Sequence, residues 1–325
     1  MRPAAALLIV GLAVAPFASA CAGEHDDTGA GPARATSQAT SPQTAAATGS
    51  TAPPRPTRVH LRPLTVATGL RAVDQLARVI GPRQATGPDF RRASAWLAER
   101  FREAGYAVRR EPFPVPGGDS WGVPVSPGRS MNVIATPQDF DPRRPHLVVG
   151  AHLDTVPQSP GAEDDASGIG VLLMIADALS GASSAGRLPV VLIGFGAEEP
   201  RGPTDADHHY GSRAYVAGLS QAQRQAVRGM LALDRVGVGD VVPVCTAGDD
   251  VARGQVLRAG RRADVPMQPC ENRSSDHWSF VERGMPGVRL GGTSYAGYHS
   301  PSDVPSVVNA AQLRRTARLV LAWIE

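Results

Sequence analysis

Between Asn132 and Leu290 the chain carries five short, nearly continuous apolar runs: Asn132 to Ala135, Leu147 to Gly150, Leu188 to Phe195, Met230 to Leu233 and Val288 to Leu290. Runs of this length, rich in Val, Ile and Leu, suit strands buried on both faces. The stretches between them have helical spacing, notably Gly168 to Leu179 and Gln221 to Arg228, and a last helix is expected over Ala310 to Ile324. Ahead of the first run, Ala72 to Ile80 and Asp89 to Ala104 read as helices, with Trp96, Leu97 and Phe101 along one side. Strands alternating with helices predict an α/β fold, a three-layer α/β/α sandwich around a central, mostly parallel sheet. In such folds the chemistry gathers beyond the carboxyl ends of the strands, so the residues that follow each apolar run are the ones to examine.

Residues 1–60 do not share this pattern. Met1-Arg2, an apolar run from Ala4 to Phe17 too short to span a membrane, and the small residues Ala18-Ser19-Ala20 predict a signal peptide over 1–20 and hence export. Cys21 stands where a bacterial lipoprotein carries its lipid, although Ala18 replaces the usual Leu; cell-surface anchoring is expected, with free secretion as the alternative. Residues 21–57 are Ala, Thr, Ser, Pro and Gly with few large apolar side chains, the composition of a tether that buries too little surface to fold. The catalytic domain is therefore expected over 58–325. Cys245 and Cys270 are the remaining cysteines, and in an oxidising compartment they are expected to form one disulfide. The formal charge is +3, every basic residue is Arg, and no basic cluster is interleaved with aromatics, which argues against nucleic acid as a partner. Contact with a membrane is expected only through a lipid on Cys21, and the protein is expected to be a monomer.

The run ending at Gly150 leads into His152-Leu153-Asp154. A Gly-containing loop, Gly161-Ala-Glu-Asp164-Asp165-Ala-Ser-Gly168, then places adjacent carboxylates just before a helix, where capping alone would need only one of them. The Leu188 run ends in Gly196-Ala-Glu198-Glu199, and paired glutamates at the end of a buried strand are costly without a cation. One can bind a metal while its neighbour takes a proton from the attacking water. Asp234 follows the Met230 run, and Gly297-Tyr298-His299 adds a second imidazole in a turn-rich loop. Imidazole mixed with carboxylate, and no Cys, suits hydrolytic zinc rather than calcium or magnesium. The set exceeds the three protein ligands of one catalytic zinc, so two ions sharing a carboxylate are expected.

The ordered set His152-Leu-Asp154, Asp164-Asp165-Ala-Ser-Gly, Gly196-Ala-Glu198-Glu199, Asp234 and Tyr298-His299 resembles metallopeptidase family 28, the dizinc aminopeptidases and their relatives, over roughly Asn132 to Asp303. The resemblance implies one zinc held by His152 and Asp234, a second by Glu199 and His299, and Asp164 bridging. It implies Glu198 as general base, Tyr298 as hydrogen-bond donor to the tetrahedral oxyanion, Asp154 as the acid orienting the His152 ring, and Asp165 as a structural partner. Ser274-Ser275-Asp276-His277 matches a loop lining the specificity side of the cleft, so Asp276 and His277, with Arg235, are expected to touch substrate. His208-His209 lies in a polar loop beside the metals and is expected to meet substrate or solvent rather than metal.

The expected activity is removal of amino-terminal residues from peptides. The alternatives on the same scaffold are a carboxypeptidase, a dipeptidase-like amidohydrolase and a glutaminyl cyclase; the cyclase resembles this fold with a single zinc. A deacylase with an inserted dimerisation domain does not fit the hundred or so positions between Glu199 and His299. A non-catalytic binding lipoprotein is disfavoured because the general base and all five ligand positions are present.

Overall fold

The computed structural model describes residues 61–181 and 187–325. The expected signal peptide, Cys21 and the tether lie outside the described residues.

The first helix, α1 (Val66–Val73), runs on through a widened turn to Ile80, beginning earlier than the apolar spacing suggested. Helix α2 (Pro88–Glu103) has Pro at its first position, where a missing N–H costs nothing, and buries Phe90, Leu97 and Phe101. An edge pair follows: β1 (Ala107–Val115) lies antiparallel to β4 (Gly128–Thr136), and the small hairpin of β2 (Gly118–Ser120) and β3 (Val123–Val125) projects between them. The centre is built from β5 (His146–His152), α3 (Ser167–Leu179), β6 (Val190–Phe195), α4 (Tyr210–Gly218), α5 (Gln221–Ala226) and β7 (Val227–Leu233). The rest comprises β8 (Val242–Thr246), α6 (Asp250–Arg262), β9 (Met267–Glu271), α7 (His277–Val281), β10 (Gly287–Leu290) and α8 (Ala310–Ile324).

These strands form one sheet in the order β1-β4-β6-β5-β7-β10-β8-β9. Strands β6, β5, β7 and β10 are mutually parallel, whereas β4 and β8 run antiparallel to β6 and β10, so the sheet is parallel at its centre and mixed at its flanks. The apolar runs are explained by their position. In β5, Leu147, Val149 and Ala151 pack into the larger core with α1, α2, α3 and α8, while Val148 points into a second core containing Phe195, Tyr215 and Phe280. With both faces covered, no residue of β5 or β6 is left exposed.

Other boundaries also differ from the sequence reading. The helix at Gln221 stops at Ala226 instead of Arg228, because Val227 already pairs with His146 of β5. Strand β6 starts at Val190 rather than Leu188; Pro189, which has no N–H to donate, offers only its carbonyl, to the Leu147 amide at 2.9 Å. Cys245 and Cys270 sit opposite one another in the β8–β9 register and form the disulfide expected of them, with Cα atoms 4.4 Å apart.

Candidate active site

The chain passes from β5 to β6 on one side and to β7 on the other, so the order of strands reverses about β5 and a crevice opens at its carboxyl end. His152 ends β5, Glu198 and Glu199 follow β6, and Asp234 follows β7. Asp164 arrives on the loop before α3 and His299 on the loop after β10.

Asp164 is the hub. Its Oδ1 lies 2.9 Å from His152 Nε2 and its Oδ2 lies 3.2 Å from His299 Nε2, so the two oxygens of one carboxylate face two different imidazoles. His299 Nε2 is also 3.2 Å from Glu199 Oε2, while Glu199 Oε1 is buried with no hydrogen-bond partner. One ligand atom each from His152, Asp164 and Glu199 falls within a 4.8 Å cluster. A buried carboxylate oxygen without a donor, among converging imidazole nitrogens, is the environment a dication would satisfy, and the nitrogen and oxygen donors fit zinc.

Asp234 lines the same cleft but sits apart from that cluster. Its Oδ1 accepts a 2.9 Å hydrogen bond from Arg289, a fully enclosed arginine on β10, and lies 3.6 Å from Arg235 Nε.

The electrostatics of so many buried ionisable groups are uneven. Burial pushes Glu199 up to about 7, and Asp164 beside it adds to the effect. Burial also pushes Glu198 upward, but His152 and His209 outweigh it and hold its carboxyl at about 2. Burial alone would lower His299; Glu199 and Asp164 more than reverse this and raise it to about 10. Asp164 is held well below the ordinary range because hydrogen bonding to His152 and His299 overcomes the cost of its burial.

The supports of these groups revise two expectations. The Asp154 carboxylate does not reach the His152 ring: Oδ1 accepts from the Glu198 amide (3.0 Å) and Oδ2 from the Glu199 amide (3.2 Å). Asp154 thus positions the two glutamates, and the His152 ring is held by the Asp154 backbone carbonyl, 3.2 Å from Nδ1. That contact engages Nδ1 and leaves Nε2 to face Asp164. Asp165 accepts from the Gly168 amide at the start of α3 (2.9 Å) and from the His152 and Arg235 amides (both 3.2 Å).

The second revision concerns Asp276 and His277, which do not line the cleft. Both are buried, because residue 277 starts α7 and packs inward. His277 Nε2 lies 2.9 Å from the Asn272 carbonyl, and burial lowers its pKa to about 3. Asn272 and Ser274 from the same loop line the cleft instead, together with Arg235 and Tyr298.

Three further residues were not singled out for the roles they occupy. His209, buried in a left-handed conformation ahead of α4, brings Nε2 to 3.2 Å from Glu198 Oε1. Arg289 braces Asp234; a charged residue inside the apolar run Val288-Arg289-Leu290 was the available signal. Trp121 forms the tip of the β2–β3 hairpin and packs edge-on against His299, with ring centroids 4.4 Å apart. That hairpin is tied to the loop after Glu199 by Asp119 N–H donating to the Arg201 carbonyl (3.2 Å), and by the Arg201 side chain donating to Pro116 and Ser126 carbonyls.

A model of peptidase family M28 matches residues 132–324. An uncharacterized Escherichia coli protein, YfbL, is 24% identical over 298 residues, covering 78% of this chain and 86% of its own length. Aminopeptidase YwaD of Bacillus subtilis is 28% identical over 209 residues, 60% of this chain but 44% of YwaD. Among solved structures, a zinc aminopeptidase from Bacillus subtilis superimposes with a TM-score of 0.70 at 18% identity, over 81% of this chain and 95% of that one. The glutaminyl cyclase of Porphyromonas gingivalis superimposes with a TM-score of 0.67 at 20% identity, over 80% and 98%. At such identities these two establish a shared fold.

Proposed function

Because the chain belongs to peptidase family M28, a family of zinc-dependent hydrolases, we propose that it is an exported dizinc aminopeptidase that removes residues from the amino ends of peptides. The observation that carries the dizinc reading is the division of Asp164, one oxygen toward His152 and the other toward His299. His152 and Asp234 would hold one ion, Glu199 and His299 the other, with Asp164 between them. Bound zinc supplies Lewis acidity and makes water acidic enough to attack at neutral pH.

The chain's own residues account for the remaining work. Glu198, its backbone fixed by Asp154 and its carboxylate low in pKa, is ionised at neutral pH and accepts the proton of the attacking water. It then returns that proton to the leaving amine. Tyr298, whose phenol pKa is raised by burial and by Asp164 and Glu199, stays protonated and donates to the oxyanion. His209, 3.2 Å from Glu198, holds the base in place.

The full chain, loaded with zinc and incubated with defined peptides, should yield ladders shortened from the amino end, read by mass spectrometry and abolished by a strong chelator. Glu198→Gln should lower kcat by about 10²–10⁴-fold while still binding zinc. Shortening from the carboxyl end would overturn the aminopeptidase reading. A single-ion reading, that of a glutaminyl cyclase, draws on the Arg289 hold on Asp234; native mass spectrometry finding one zinc per chain, with cyclisation of amino-terminal Gln, would favour it.

A further inference from the structure

The cleft holds a cation for which the hydrolytic steps have no use. Arg235 follows Asp234 in a left-handed backbone conformation (φ 58°) and is fixed on several sides. Its amide donates to Asp165 Oδ1 at 3.2 Å and its carbonyl accepts from the Gly292 amide at 3.1 Å. Gly291, at φ 104°, allows the two segments to meet; a β-carbon there would stand 2.3 Å from the Asp234 carbonyl oxygen. The guanidinium lies over the Tyr298 ring, 4.4 Å from its centroid, with Nε 3.6 Å from Asp234 Oδ1 and only 15% of the side chain exposed.

Comparison with Arg289 separates a structural arginine from one with spare capacity. Arg289 spends its fork on protein acceptors: one terminal nitrogen donates to Asp234, the other to Asn272 Oδ1 (3.0 Å) and the Ser274 carbonyl (3.1 Å). The terminal nitrogens of Arg235 make no hydrogen bond among the described residues, and the side chain forms part of the cleft wall with Tyr298 and His299. A guanidinium already oriented on an aromatic ring loses little freedom when it pairs, and its planar fork matches a carboxylate. Asp234, its nearest acid, is shared with Arg289, so the terminal nitrogens of Arg235 keep donor capacity for a further carboxylate.

We infer that Arg235 sets the specificity of this cleft by receiving a carboxylate of the substrate. Two sources share that chemistry: an acidic side chain on the first residue, and the free carboxyl terminus of a dipeptide. The inference rests on the peptide-hydrolase reading.

The test uses the zinc-loaded full chain and matched peptides. Asp-Ala-Phe-amide against Asn-Ala-Phe-amide varies only the first side chain; Ala-Phe against Ala-Phe-amide varies only the terminal carboxylate. The wild type should favour the acid of one pair by about tenfold or more in kcat/KM, chiefly through KM, and the pair that responds identifies the source. Arg235→Gln should bring that ratio to near one, and Arg235→Lys, which keeps charge but loses the fork, should fall between. Calorimetry on Glu198→Gln should show the same preference in Kd without turnover. Ratios near one for both pairs in the wild type, or a ratio that survives in Arg235→Gln, would overturn the inference. Trimming of neutral peptides without acid preference sinks this inference alone. Acid preference in calorimetry with no trimming by the wild type sinks the aminopeptidase reading and leaves Arg235 as a carboxylate receptor.

Discussion

The carboxyl ends of β5, β6 and β7 and the exposed loop between β4 and β5 contain the same kinds of ion pair in opposite surroundings. At the cleft, Asp234 and Arg289 meet at 2.9 Å with side chains 6% and 3% exposed. On the surface, Asp141 and Arg143 meet at 3.0 Å with side chains 35% and 73% exposed. In the first setting each charge has lost its water and must be matched by fixed partners; in the second, solvent screens the attraction and two long side chains give up freedom to form it. Arg83 marks the extreme of the inner region. Wholly buried, it donates to the carbonyls of Leu153, Pro160 and Gly161 at 2.7, 2.7 and 2.9 Å, joining the end of β5 to the loop that carries Asp164. Burial lowers its pKa to about 10, with Asp303 and Asp165 opposing that fall, so it remains charged. The difference teaches that the cleft is stiff because it is expensive: few of its polar groups can be removed without stranding another.

The largest effect should come from breaking the inner region. Arg83→Met should cost about 3–5 kcal/mol in urea unfolding of the zinc-free protein, because it strands buried carbonyls and leaves the surrounding acids without their cation. A loss under about 1 kcal/mol would dissolve the contrast with the surface. The outer edge offers an intermediate case, since β8 and β9 are joined covalently rather than by charge. Replacing Cys245 and Cys270 together by Ala should cost about 3 kcal/mol, the entropy of releasing a loop of this length in the unfolded chain. Zinc affinity, followed by chelator competition, should stay unchanged in that variant, which would separate edge stability from the metal site. The smallest effect belongs to the exposed pair: Arg143→Ala should leave the thermal midpoint within error, and a clear drop would mean that the outer charges matter more than their exposure implies.

The sheet was legible where burial on both faces forces continuous apolar runs, as in β5, β6, β7 and β10. It was not legible at the edges. Strand β1 carries exposed Arg109 and Arg110 and half-buried Glu111, with only Phe113 and Val115 fully buried, and β9 is mostly exposed, so neither carries the apolar signature of the centre. The site shows the same division. Residues that directly follow an apolar run, such as Glu198, Glu199 and Asp234, could be placed at the strand ends by position alone, and they line one cleft. Asp154 was found but assigned the wrong neighbour, since a spacing of two residues from His152 says nothing about the Glu198 and Glu199 amides that it serves. Asp276 and His277 were expected at the cleft, yet an inward-packed helix start buries both.

What the sequence by itself determined is the family, the α/β alternation and the identity of the acids and imidazoles at the strand ends, because local periodicity and residue chemistry are properties of the chain. Only the tertiary structure decided which of those groups meet. It placed Asp164 between His152 and His299, turned His209 onto Glu198, set Arg289 against Asp234 and left Arg235 facing the cleft. These contacts join segments as far as 135 positions apart in the chain, as Asp164 and His299 are (299 − 164), and no local pattern encodes which partner a side chain will find once the sheet has closed.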